Sequence, residues 1–231
     1  MYAANSINEL ISRENLNVSK LLSKLLQYYL FTNHKKRIHS SYLFNRSLAF
    51  KLDEYIYDQA LTVPTKDAIM GIANGAHNGC GWIAAYNALH VLGDPNHPAD
   101  IIKWFEENRG SILGGIIGIR ARSIRNYFRD KGYQAEIYTN HFDDVIMKSG
   151  SVAILEYHWS IPTERLNQSN HFVMSRWDTE NACYEIYNVL SGDIAKRTFD
   201  TMEAFLSFGD HHPEMFPNGL KSKLLKLIVI K

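Results

Sequence analysis

The stretch 79–92, "GCGWIAAYNALHVL", sets a cysteine between two glycines and runs straight into an apolar segment of helical pattern. Ile83, Ala84, Asn87, Ala88, Val91 and Leu92 recur at intervals of three and four, the spacing of a helix face packed on a core. Ala84 and Ala88 are small enough to bring that helix close to its neighbour, and Gly93 supplies its stop. Cys80 therefore falls where a loop becomes a buried helix. A packing cysteine needs no such address, whereas a nucleophile gains from it. The first turn of a helix presents unpaired N–H groups and the positive end of the dipole, and both favour an anion. A free thiol titrates near about 8.5; this setting, with an imidazolium nearby, is expected to bring Cys80 to roughly 3.5–7.5. Gly79 and Gly81 are expected to let the backbone turn sharply and a substrate approach.

On the N-terminal side, a loop rich in Gly, Asn and His (71–79) leads into this helix. Residues 1–66 read as a separate helical extension. Val18, Leu21, Leu22, Leu25, Leu26, Tyr29 and Leu30 form one stripe that could dock a partner, "NHKKRIHSS" (33–41) reads as a solvated loop, and 42–60 as a second helix. "TVPT" (62–65) is the connection.

On the C-terminal side, "HPADIIKWFEENRG" gives a helix with Pro98 in its first turn, and the glycine-rich "GSILGGIIG" (110–118) precedes another near 121–131. "YQAEIY" reads as a strand and 141–148 as a short helix. Strands follow at 151–159, 171–178, 182–189, 193–199 and 223–230, with a short helix to 208 begun by a capping box of Asp200 and Glu203. Helices first and an antiparallel sheet after make an α+β domain over 67–231.

Composition removes several classes. Lys and Arg number 25 against 24 Asp and Glu, so no charge excess points to nucleic acid. Neither a signal peptide nor an 18-residue apolar run is present. With only two cysteines, the expectation is a cytoplasmic protein in a reducing compartment, with export by a signal-less route left open.

A nucleophilic Cys80 needs a base from elsewhere in the chain. Of ten histidines, His171 opens an apolar strand in "SNHFVMSRW", where a side chain is rigidly held near the sheet edge. Strands 171–178 and 182–189 form a hairpin that brings Asn188 beside His171, and an amide oxygen there can fix the imidazole tautomer. His77, Cys80, His90 and His97 cluster in sequence but lack the paired half of a zinc site. The glycines of 110–118 lack the Lys-Ser/Thr of a phosphate loop. Cys183 reads as a core residue, and Trp159 as either core or a groove wall.

"NGCGWIAAYNAL", "NHFVM" and "YEIYNV" resemble the three active-site blocks of papain-fold cysteine peptidases, in that family's order. The likeness is to the compact bacterial branch that includes bacteriocin-processing peptidase domains, and it covers about residues 70–230. It implies a papain-like fold with Cys80 as nucleophile, His171 as general base and acid, and Asn188 as orienter. The family's oxyanion glutamine is absent; Asn74 stands six residues before Cys80, with Asn78 closer. The expectation is Cys-His-Asn hydrolysis of a peptide or protein amide, with no cofactor or metal. The alternatives are acyl transfer to an amine or thiol, and an inert papain-like scaffold that binds peptide.

Overall fold

A computed structural model of the chain describes residues 34–115, 118–161, 168–212, 215–217 and 219–231. The leucine stripe at 18–30 lies outside them. The first described element, α1 (His34–Ser47), takes in most of the basic run assigned above to a loop. Lysine and arginine are good helix formers, and Ile38, Ser41 and Asn45 turn inward at helical spacing. The charges fix which side meets water and leave the backbone free to coil.

The second helix expected for 42–60 ends at Ser47, and 48–64 has neither helix nor strand. Its backbone is satisfied by side chains instead. Asn87 Oδ1 accepts from the Ile56 N–H at 2.9 Å while its Nδ2 donates to the Ile56 carbonyl at 2.8 Å. The Tyr86 hydroxyl donates to the Glu54 carbonyl at 2.9 Å. Residues Ile38–Lys231 form one compact unit, so the expected boundary at 66/67 falls inside it, and Ile56 belongs to its core.

A short antiparallel pair, β1 (Ile69–Met70) and β2 (Ala73–Asn74), precedes the single turn α2 (Gly75–Asn78) and the central helix α3 (Cys80–Val91). Helices α4 (Pro98–Glu107) and α5 (Ala121–Asp130) complete the helical layer. The rest alternates strands with two short helices: β3 (Ala135–Thr139), α6 (Asp144–Lys148), β4 (Val152–Ser160), β5 (Gln168–Asp178), β6 (Cys183–Tyr187), β7 (Arg197–Phe199), α7 (Met202–Leu206) and β8 (Lys221–Ile230). Thr201, not Asp200, caps α7, its hydroxyl accepting from the Ala204 N–H at 3.1 Å.

The six strands make one antiparallel sheet in the order β3-β8-β4-β5-β6-β7. The chain is a mixed α+β protein. Both sheet faces are covered. Ile154, Phe172, Met174, Tyr187 and Ile228 face the layer of α3, α4 and α5, with Trp82, Leu89, Ile102 and Phe105 in the same core. Leu155, Tyr157, Val173, Tyr184 and Ile186 face a second core closed by Met202 and Phe205. Two-sided burial explains why 152–155 reads as a continuous apolar run instead of an alternation. A bulge interrupts the β4–β8 ladder between Glu156 and Tyr157.

Replacing Asn87 by Leu leaves both polar groups of Ile56 buried and unpaired, a cost of about 2–4 kcal/mol. Urea denaturation is expected to show that loss with an unchanged slope; a change below about 0.5 kcal/mol would mean that 48–64 does not depend on this bridge.

Candidate functional site

Helix α3 starts afresh at Cys80. The last bond of the preceding turn runs from Gly79 N–H to the Gly75 carbonyl, and the first of α3 from Ile83 N–H to the Gly79 carbonyl. The amides of residues 80–82 fall between the two. Those of Cys80 and Gly81, with the N–H of Phe172, favour the thiolate form of Cys80. The β5–β6 ladder ends at Met174 and Tyr187, short of Phe172, where α3 packs on β5. The half-buried Cys80 is thus favoured as a thiolate by three backbone amides, one of them that of Phe172, next to His171 on β5.

His171 is half-buried on β5, paired across the ladder with Tyr157, whose ring meets the imidazole edge-on at 5.7 Å. Its Nε2 lies 2.7 Å from the backbone carbonyl of Asn188. A carbonyl only accepts, so Nε2 carries the proton and Nδ1 keeps its lone pair. The orienting acceptor is therefore the main chain of Asn188, not the amide expected from sequence. Asn188 has a left-handed backbone, φ +63°, which asparagine tolerates better than most residues. Its side chain is spent on Gln59: Oδ1 accepts from the Gln59 N–H at 3.0 Å and Nδ2 donates to Gln59 Oε1 at 3.3 Å. Gln59 Nε2 in turn donates to the Ala76 carbonyl at 3.2 Å, which links it to the turn before Cys80. Nothing in "DQALTV" marks Gln59 as a site residue; only the tertiary fold brings it here.

Of the two candidates for an oxyanion amide, Asn78 is engaged elsewhere. Asn78 is buried, and its Nδ2 donates to the Met70 carbonyl at 2.9 Å and the Gly115 carbonyl at 2.7 Å, pinning the glycine-rich loop. Asn74 is exposed at the start of α2 and makes no capping bond. The flanking glycines also act differently from expectation. Gly79 is helical, at φ −73° and ψ −22°, so no sharp turn occurs there. A Cβ on Gly79 would lie 2.4 Å from the Gly75 carbonyl oxygen, and one on Gly81 would lie 3.0 Å from Ile119 Cβ. These glycines are required by close packing.

Electrostatics depart from expectation as well. Burial pushes the Cys80 thiol up to about 11, aided by the negative charge of Glu156, and the three amides offset only part of this. Burial lowers His171 below the ordinary imidazole value, against the pull of the Asn188 carbonyl. At neutral pH both groups are uncharged. Among the described residues no hydrogen bond joins the sulfur to the ring. Glu156 belongs to a polar chain: Lys226 Nζ lies 2.5 Å from its Oε2, Asn170 Nδ2 donates to its Oε1 at 3.4 Å, and His158 Nδ1 meets Asn170 Oδ1 at 3.1 Å.

A cavity of about 310 Å³ opens beside the imidazole. Its polar lining includes His171, Asn188, Gln59 and Ser191, and its apolar lining Tyr157, Trp159, Val189, Leu190, Phe216 and Leu220. Trp159 is thus a groove residue. Cys183 is buried at the start of β6. The histidines near Cys80 in sequence have other work. His97 Nδ1 caps α4 by accepting from the Ala99 N–H at 3.1 Å, and His90 packs on the rings of Tyr55 and Tyr86. Among the described residues no three potential ligands converge on a metal position, and no helix is long and apolar enough to cross a membrane. In comparisons with known proteins, the chain matches no family model and no curated protein.

The Asn188 geometry is testable. Asn188→Gly accepts the left-handed backbone and keeps the carbonyl, so the NMR titration midpoint of His171 is expected to stay where it is. Asn188→Ala costs about 1–2 kcal/mol in thermal denaturation. A further fall of the midpoint in Asn188→Gly would mean that the side chain had been the acceptor.

Proposed function

We propose that the chain is a papain-like, cysteine-dependent peptidase or amidase. The observation that carries this reading is the place of Cys80 at the very start of α3, where the backbone amides of Cys80, Gly81 and Phe172, the residue next to His171, favour its thiolate. Such donors stabilise a thiolate, and the same cluster at a helix start can hold a carbonyl oxygen as it becomes an oxyanion. The order Cys80, His171, Asn188 and the hairpin between the last two add support.

The charge states suggest how the reaction starts. With thiol and imidazole both neutral at rest, His171 Nδ1 takes the sulfur's proton as the S–C bond forms. The apo pair need not be bonded beforehand, since catalytic contacts commonly tighten only with substrate bound. The proton then passes to the leaving nitrogen as the C–N bond breaks. Water, deprotonated by the same Nδ1, attacks the thioester and releases the acid. An amine or thiol in place of water makes the protein an acyltransferase with unchanged residues. The Asn188 carbonyl keeps the proton on Nε2 throughout.

The raised thiol favours a second reading, an inert scaffold of this fold that binds peptide. Labelling with an electrophilic peptide probe separates the two. Under the enzyme reading, labelling at neutral pH is lost in Cys80→Ala and falls by at least about a hundredfold in His171→Ala. Its low-pH limb follows His171, whose lowered midpoint keeps the ring neutral, and the rate high, below the ordinary imidazole value of about 6.5. Labelling that is indifferent to His171→Ala and rises only with thiolate at alkaline pH supports the scaffold.

A further inference from the structure

The cavity touches the base but not the nucleophile: His171 and Asn188 line it, and Cys80 does not. In acyl transfer the acyl half of the substrate becomes bonded to sulfur, while the other half departs with the proton that the imidazole delivers. A pocket walled by the imidazole and not by Cys80 fits the departing half. We propose that this cavity is the specificity pocket for the residue just after the scissile bond, and that it selects a large apolar side chain there. This deepens the cysteine reading and rests on it.

The walls support the chemical class. Trp159, Phe216 and Leu220 give rigid apolar surface, Val189 and Leu190 follow directly on the residue that holds His171, and no Asp, Glu, Lys or Arg stands among the described lining residues. A charged side chain would lose hydration there and gain no charged partner among the described lining residues. At about 310 Å³ the space sits at the low end of small-molecule sites, which span roughly 300–1,000 Å³, and suits one bulky side chain. In the second half-reaction the same pocket receives an incoming acceptor, so an amine bearing an apolar group would compete with water.

The test incubates the full chain with a mixed-sequence peptide library and sequences the new N-termini. Phe, Tyr, Leu and Met are expected at the first position of the released fragments at least about tenfold over Asp, Glu and Lys, the scale on which apolar pockets discriminate. Ala60→Trp fills the cavity and is expected to collapse that ratio toward small residues. Leu190→Glu is expected to draw Lys and Arg into the position, and it keeps the test open if Ala60→Trp does not fold. Fragments that depend on Cys80 but show no selection at that position, or selection only before the cut, would overturn the pocket assignment alone. Absence of any fragment that depends on Cys80 would overturn the cysteine reading itself.

Discussion

The site rests on one packing contact, that of the buried helix α3 against strand β5. Residues 81–89 of α3 are buried all round, so the helix cannot slide or rotate without opening the core. Gly81 closes the contact on the other side: a Cβ there meets Ile119 at 3.0 Å. With α3 fixed in this way, its first residue lies near the stretch of β5 beyond the end of the β5–β6 ladder, and the Phe172 amide favours the thiolate of Cys80. The β4–β8 register shift falls between Glu156, the ladder partner of Phe172, and Tyr157.

Much of this was legible from sequence because it follows from periodicity and turn chemistry. The three- and four-residue spacing after Cys80 located α3, and the turn residues between 178 and 183 located the β5–β6 hairpin that brings Asn188 to His171. The α+β order followed from the same patterns. What escaped was set by tertiary contacts. Residues 48–64 have no local signal because Asn87 and Tyr86 satisfy their backbone from a distant helix. Gln59 reaches Asn188 across 129 residues of sequence. Residue type alone cannot say whether Asn188 orients a histidine by its amide or its carbonyl; the φ of +63° decides that.

The thiol gives the most instructive departure. A helix start and nearby amides argue for a depressed thiol pKa, and those amides are in place. Burial and the Glu156 charge outweigh them, so the sulfur is held as a thiol in the resting protein. The same burial holds His171 neutral, which suits a base. In the proposed reaction, charge therefore develops only when substrate is in position. A thiol kept protonated also resists adventitious oxidation.

The most direct test of this account is the ultraviolet absorbance of the thiolate, followed against pH as the difference between the wild-type chain and Cys80→Ser. The account expects no thiolate signal at neutral pH and a rise only well into the alkaline range, toward the value of about 11 set by burial. A full thiolate signal already present at neutral pH would mean that Cys80 and His171 rest as an ion pair, and would contradict it.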